Sequence, residues 1–356
     1  MFWSILDDSV IPPLSRIEEA DGLIFYEKSS AKEALQTISK FRMAYLYGGT
    51  AAQQIAKVDA AGFFNTVSPA YFDIDATGSL SENGISRTLI DAMHQRGTKV
   101  VPLLSNHWNR RAGELALQQA ERLSTQVINA VEQYNLDGVH VDIENVSAEY
   151  RELYTDLVRV FRQKLPAGKE VSVAVAANPD GQNDGWLGSY DYAGLAAYAD
   201  YLVIMAYDEH WLGSTPGPVA GDIFIRRSIQ YALTQAPANK LVLGIPLYGR
   251  IWGASGSFNG EGVGLNALNM ILDEYTAAVT YDAAAKAPTA VFTVTPSDNP
   301  YQINEKVLVP DSYTVWFENE QSLQSKIHLV YEYSLKGMGF WTVMQASDYI
   351  LQYFFK

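Results

Sequence analysis

The stretch LDGVHVDIENV, Leu136 to Val146, splits into two rows when read with a period of two. Val139, Val141 and Ile143 make an apolar row; Gly138, His140, Asp142 and Glu144 make a polar one. Such alternation marks a β-strand with two unlike faces. Two acids two residues apart on one face repel each other, and one of them is then harder to ionise. A raised carboxyl pKa is what a general acid requires near neutral pH. On the strand alone a structural reading stays open, with the acids held by Arg or Tyr and His140 a hydrogen-bonded core residue.

Seven further apolar runs frame this one. They are Phe41–Tyr47, Phe63–Ala70, Thr98–Ser105, Glu170–Ala177, Tyr201–Tyr207, Leu241–Tyr248 and Gly337–Val343. Helical periodicity lies between them, clearest over Arg111–Tyr134, where apolar residues recur every three or four positions. Ser147–Arg162 and Asp222–Thr234 read similarly, the former opening on a Ser with acids in its first turn. Eight strands alternating with helices predict an α/β fold, a (β/α)8 TIM barrel. A doubly wound open sheet is the competing architecture, but no G-x-G-x-x-G or G-x-x-x-x-G-K-[ST] signature supports a nucleotide fold. In a barrel the polar row faces the lumen, with Glu144 nearest the C-terminal mouth, where barrel enzymes carry their chemistry.

Two segments fall outside this rhythm. Residues 1–40 precede the first barrel strand and are expected to be an N-terminal extension to a barrel spanning 41–356. Between Tyr248 and Ser322 there is too much chain for one loop, and AVFTVTPSDNPYQINEKVLVPDSYTVWF alternates around turn residues. A small inserted α+β subdomain is expected there, over about 250–315.

Composition narrows the function. Of the 356 residues 48% are hydrophobic and 19% charged, enough for a large packed core. The net charge of −14 argues against nucleic acid or an anionic membrane surface as the main partner. There is no cysteine, so disulfides, thiolate zinc sites and thiol nucleophiles are excluded. No run approaches a membrane span, and the start, MFWSILDDSVIPPL, lacks the basic region of a signal peptide. A metal held by His140, Asp142 and Glu144 is a rival chemistry, weakened by the presence of only five His and no H-E-x-x-H pair. No metal and no cofactor are expected.

Other strand ends carry matching residues. MAYDEHW (Met205–Trp211) follows the sixth run, with Met205 and Tyr207 on one row and Asp208 opening the loop. Trp108, Trp186, Trp211 and Trp252 follow strand ends, and Trp341 lies on one. Any one of them is more readily explained by packing. Five on one side of a barrel favour a saccharide groove, because aromatic rings cover the apolar faces of sugars.

At this point the chain resembles a known family. LDGVHVDIE is similar to the D-G-x-D-x-D-x-E motif of glycoside hydrolase family 18, the chitinase-like enzymes, with Asp137 its first acid. MAYD resembles the family's M-x-Y-D motif; GIPLYGR (Gly244–Arg250) and GFWTV (Gly339–Val343) resemble its seventh and eighth strands. The insertion resembles its α+β subdomain. The likeness runs from about Phe41 to the C-terminus. Within the family, VAVAANP (Val173–Pro179) and MAYDEHWLGSTPGPVA (Met205–Ala220) are most similar to bacterial spore cortex-lytic and germination-related N-acetylglucosaminidases. Two departures stand out: His140 occupies the fourth motif position in place of Asp, and LLSNHW (Leu103–Trp108) replaces the S-x-G-G of the third strand.

The resemblance implies a retaining, substrate-assisted hydrolase, an exception to the two-carboxylate scheme. It makes Glu144 the acid and base, Asp142 the residue that orients the substrate's acetamide, and Tyr207 the donor to the acetamide oxygen. Asp208 and Trp341 would hold the distorted sugar. Tyr248, Met205 and Arg250 are further expected substrate contacts, as are Trp211, Trp108 and Asn106 near the mouth. His140 and Asp137 would support from behind. The implied substrate is β-linked N-acetylglucosamine in peptidoglycan of the spore cortex. Chitin or its oligosaccharides are the alternative, and a lectin on an inactive barrel is a third. A monomer at the spore or cell envelope is expected, with no nucleic-acid or membrane partner; the sequence is equally compatible with a cytoplasmic enzyme.

Overall fold

The computed structural model describes residues 40–355. The expected N-terminal extension lies outside the described residues, apart from Lys40. All eight expected barrel strands form. The first four are Phe41–Leu46, Thr66–Pro69, a third in two pieces (Lys99–Val100 and Leu103–Ser105) and Gly138–Asp142. The others are Glu170–Ala176, Tyr201–Met205, Leu241–Pro246 and Gly337–Trp341. Each pairs in parallel with its sequence neighbours, and the eighth pairs with the first.

The third strand closes the barrel across a break. Pro102 has no N–H to contribute to a ladder. Around it Val101 N–H donates to Val67 O on one side at 2.9 Å, and Pro102 O accepts from His140 N on the other at 2.9 Å. Strand alternation then does what the pattern predicts. Val139, Val141 and Ile143 are fully buried under the helices. Met43, Tyr45, Leu103, Tyr201, Val203 and Val242 pack in the lumen with Trp341 above them, and His140 and Asp142 share that interior.

Gly138 is required by the same geometry. Its φ is +152°, and a Cβ there would sit 2.0 Å from Glu170 O. Asp137 before it belongs to the opposite end of the barrel from Glu144. Its carboxylate accepts from Val100 N at 2.8 Å and pairs with His94 Nε2 at 2.7 Å, which ties the start of the strand to its neighbour.

The helices follow the strands in order, several with side-chain N-caps from Thr50, Ser86, Asn109, Asp191 and Asn319. Two expectations are corrected. The single helix expected over Arg111–Tyr134 is two, Arg110–Gln118 and Ala120–Tyr134, broken at Gln119 (φ −116°, ψ 35°). The turn at Thr77–Gly78 presses on Leu115–Ala116, so closely that a Cβ on Gly78 would lie 2.6 Å from Ala116 N, and Gln119 Nε2 donates to Thr77 O. The segment after Ser147 starts as a 3-10 turn, Ala148–Tyr150, before the α-helix Arg151–Lys164, and Ser147 makes no side-chain cap.

The sequence reading also passed over a hairpin, Phe72–Ile74 with Leu80–Glu82, whose first strand pairs with Leu103–Ser105. After the seventh strand an antiparallel sheet forms the α+β insertion. Its order is Asn259–Gly264, Tyr248–Gly253, Asp311–Trp316, Ala287–Val294, Ala278–Asp282, with the helix Leu265–Glu274 beside it. Phe292 stacks between Tyr275 and Tyr313 in its core.

Candidate active site

The fourth strand ends at the barrel mouth with Asp142, and Glu144 follows in the loop. Asn145 next to it is left-handed (φ 60°), which turns the chain sharply away. Asn106 fixes the backbone of Glu144 from both sides. Its Oδ1 accepts from Glu144 N at 2.8 Å, and its Nδ2 donates to Glu144 O at 2.8 Å and to Asn109 O at 2.9 Å. Asn106 is 1% exposed with its amide fully engaged. It therefore supports the acid from beneath and lies outside the groove where the sequence reading expected it.

The carboxylates are electrostatically unequal. Burial, then repulsion from Asp142 and from Asp208, pushes Glu144 up to about 9. Burial pushes Asp142 up to about 6, opposed by a hydrogen bond with Ser105 and by the charge of His107. At neutral pH Glu144 thus carries a proton and Asp142 is largely ionised, which is an acid beside an anion. Asp142 Oδ1 is buried and has no hydrogen-bond partner.

Behind the acids a neutral relay fills the lumen. The Tyr45 hydroxyl lies 2.8 Å from His140 Nε2, and Ser172 Oγ 2.8 Å from His140 Nδ1. Burial lowers His140 to about 3, so it stays neutral. With both ring nitrogens engaged, His140 has no lone pair left for a metal. Among the described residues no group of three His, Cys, Asp or Glu side chains converges as a metal site.

The other walls come from the sixth, seventh and eighth strands. Tyr207 shares the field of Asp142 and Glu144, and burial holds its phenol un-ionised. Asp208 is left-handed (φ 58°) and exposed. Its Oδ1 accepts from the Tyr248 hydroxyl and from Arg250 Nε and Nη2 at 2.9 and 2.8 Å. Trp341 ends the eighth strand, its ring edge-on to Tyr45 at 5.1 Å and tilted against Tyr47 at 5.6 Å.

A family model for the glycosyl hydrolases family 18 matches residues 44–346. The chain belongs to that family. YdhD of Bacillus subtilis (strain 168), a glycosylase named for sporulation, is 33% identical over 239 residues, 65% of this chain and 54% of that one. The cortical fragment-lytic enzyme of the same organism is 30% identical over 225 residues, 62% of this chain and 49% of that one. This chain therefore spans about half the length of these two relatives. The crystal structure of a chitinase from Chromobacterium violaceum ATCC 12472 superposes with a TM-score of 0.77 at 26% identity, over 88% of this chain and 98% of that one. As a family 18 member the chain is related to a cortex-lytic enzyme as well as to a chitinase.

The aromatic residues divide on inspection. Trp108 is 50% exposed and Trp211 56% exposed, and Trp108 meets Trp186 edge-on at 5.0 Å. Trp252 does not belong with them: it is 4% exposed and its Nε1 donates to Ser214 O, so it packs under the loop after the sixth strand. Tyr248 and Arg250 hold Asp208 and are themselves largely covered, while Met205 is partly exposed at its strand end. Sequence reasoning missed Tyr45, Ser172 and Ser105. Each lies at the inward parity of its own strand, a signal lost because a lone hydroxyl in an apolar run carries no motif.

Proposed function

We propose that the chain is a retaining, substrate-assisted glycoside hydrolase that cleaves β-linked N-acetylglucosamine in peptidoglycan, with spore cortex as the physiological polymer. The observation that carries this reading is the pair Glu144 and Asp142, one protonated and one ionised at neutral pH in one buried mouth. Glu144 donates its proton to the glycosidic oxygen. The acetamido carbonyl oxygen of the same sugar attacks C1, the C1–O bond breaks, and an oxazolinium ion forms as the leaving sugar departs. Asp142 accepts from the acetamide N–H and stabilises the positive charge that develops. Tyr207 donates to the acetamide oxygen and aligns it for attack. Glu144, now a carboxylate, takes a proton from water as that water attacks C1 and opens the ring with net retention. Trp341 forms the floor under the sugar, and Asp208, clamped by Tyr248 and Arg250, binds its hydroxyls.

The cortex assignment draws on the cortical fragment-lytic relative, as does a location at the spore or cell envelope. Cleavage of chitin-type oligosaccharides is the second reading, favoured by the chitinase structure that spans nearly the whole chain. A lectin is disfavoured because Glu144, Asp142 and Tyr207 are all in place.

A product assay on cortex peptidoglycan fragments and chitin oligosaccharides, with Glu144→Gln alongside, tests the proposal. Muropeptides with new reducing N-acetylglucosamine ends, absent with the variant, are the expected result. Undiminished turnover by Glu144→Gln would sink the assignment. Cleavage of chitin oligosaccharides alone would select the second reading.

A further inference from the structure

A cavity of about 540 Å³ opens at the N-terminal end of the barrel, across the lumen from Glu144. Phe41, Thr66, Lys99, Glu170 and Tyr201 each begin a barrel strand and form part of its wall. Four cations, Lys99, Arg162, Lys169 and Lys336, share that wall with two carboxylates, Glu170 and Asp200. The wall therefore carries two more positive charges than negative, in a chain whose net charge is −14. Like charges gathered round one concave, low-dielectric wall focus their field into it.

Both carboxylates are committed to the fold. Glu170, 6% exposed, accepts from the Tyr201 hydroxyl at 2.5 Å and from Lys99 Nζ at 3.2 Å. Asp200 Oδ2 accepts from Val171 N at 2.7 Å and from Arg162 Nη2 at 2.8 Å. Lys169 Nζ donates to Leu136 O at 2.6 Å and lies 3.9 Å from Asp137 Oδ1. The other two cations keep donors open. Among the described residues Arg162 donates only through Nη2, whose second acceptor is Lys169 O at 3.3 Å. Lys336 Nζ lies over the rings of Phe41 and Tyr201, 5.3 and 5.6 Å from their centroids, and among the described residues no oxygen accepts from it. Ring faces attract an ammonium but leave its three N–H donors without an oxygen. Asp200 and Tyr201 are consecutive, so Arg162 and Lys336 reach the cavity from neighbouring positions. Packing on two rings explains how Lys336 is held. It does not explain four cations around one cavity, since their mutual repulsion is unfavourable.

We propose that this cavity is a second ligand site, remote from the hydrolytic mouth, that takes an oxyanion: a carboxylate or phosphate group bound by Lys336 and Arg162. Lys99 and Lys169 add to the field that draws the anion in. Two sources supply that chemistry. One is free inorganic phosphate. The other is the carboxylates on the peptide stems of peptidoglycan, through which the chain holds its polymer at a point away from the bond it cleaves. The second source rests on the peptidoglycan reading; the first does not.

Inorganic phosphate and a sugar-free stem peptide with free carboxylates are titrated separately into the full chain by calorimetry at low ionic strength. Saturable binding of at least one is expected. Lys336→Gln is expected to weaken it roughly fivefold or more, as the loss of one charge-assisted contact does, and Lys336→Arg to restore it. Lys306→Gln removes an equal charge from the α+β insertion, where Lys306 pairs with Glu261, and is expected to leave binding unchanged. No saturable binding of either probe overturns the proposal, and so does an equal loss in Lys336→Gln and Lys306→Gln. Binding of phosphate alone selects the free anion; binding of the stem peptide, displaced by phosphate, selects the polymer. Lys336→Gln is expected to hydrolyse short chitin oligosaccharides at the parental kcat/KM, which also shows that the variant is folded. Anion binding can thus fail while Glu144→Gln still abolishes hydrolysis, and the reverse also holds.

Discussion

Asn106 commits its whole amide to the backbone around Glu144, so the acid proposed as proton donor is positioned by a buried residue. Asn106→Ala is expected to lower kcat by roughly 10- to 100-fold with a smaller change in KM, because a small misplacement of the acid is felt in the transition state. Steady-state kinetics on an N-acetylglucosamine oligosaccharide checks this. The two carboxylates also set a pH profile. Below about 6 Asp142 is protonated and cannot stabilise the oxazolinium; above about 9 Glu144 has lost the proton it must donate. A bell-shaped kcat/KM profile bounded by these two limbs is the expected outcome, and a profile still rising above the upper one would show that Glu144 is not the acid. Of these residues Glu144, Asp142 and Tyr207 were singled out in sequence, because each lies at or just past the end of a recognisable strand. The role of Asn106 was not, because a buried Asn and a groove Asn look the same without coordinates.

At the scale of elements, the loop after the sixth strand is held by the insertion. Tyr248 and Arg250 lie on the first inserted strand, Tyr248–Gly253, and both donate to Asp208 Oδ1. Arg250 also donates to Gly260 O on the adjacent strand at 2.6 Å, so one side chain ties the loop to the inserted sheet. Arg250→Ala is expected to raise KM by roughly tenfold, about 1.4 kcal/mol, through the loss of a charge-assisted contact to Asp208. A titration of Arg250→Ala in the Glu144→Gln background with a non-hydrolysed oligosaccharide separates that loss from any change in chemistry. The alternating apolar runs located all eight barrel strands. They did not show the hairpin of three-residue strands at Phe72–Ile74 and Leu80–Glu82, which are too short to display a period. Nor did they show the break at Gln119, which is imposed by the Thr77–Gly78 turn packing against a helix face whose periodicity is unbroken.

For the whole molecule, a buried acid is a liability that the fold tolerates for its chemistry. The folded value of Glu144 is raised from 4.5 to about 9. A group raised in this way contributes stability below its unfolded value and loses it as pH climbs through the folded one. Glu144→Gln removes the group. The variant is therefore expected to match the parent near pH 4 and to grow more stable than it as pH rises toward 9, by roughly 1–3 kcal/mol at neutral pH. Thermal melts of the two proteins across that range check the sign; a variant less stable at pH 8 than the parent would contradict it. Among the described residues no helix is long and apolar enough to cross a membrane.

Sequence by itself determined the barrel, the strand that carries the acids and which face of that strand looks inward, because a period of two leaves a strand only one way to bury Val139, Val141 and Ile143. It also determined the family, since four motifs in order mark four strand ends. Tertiary structure alone decided which tryptophans are exposed, as Trp108 and Trp211 are, and which, like Trp252, are packing. It alone brought Tyr45 and Ser172 to the two nitrogens of His140, and Asp73 to His107. Those contacts join residues from 32 to 95 positions apart. No local pattern encodes them, because what sets them is the register of neighbouring strands as the barrel closes.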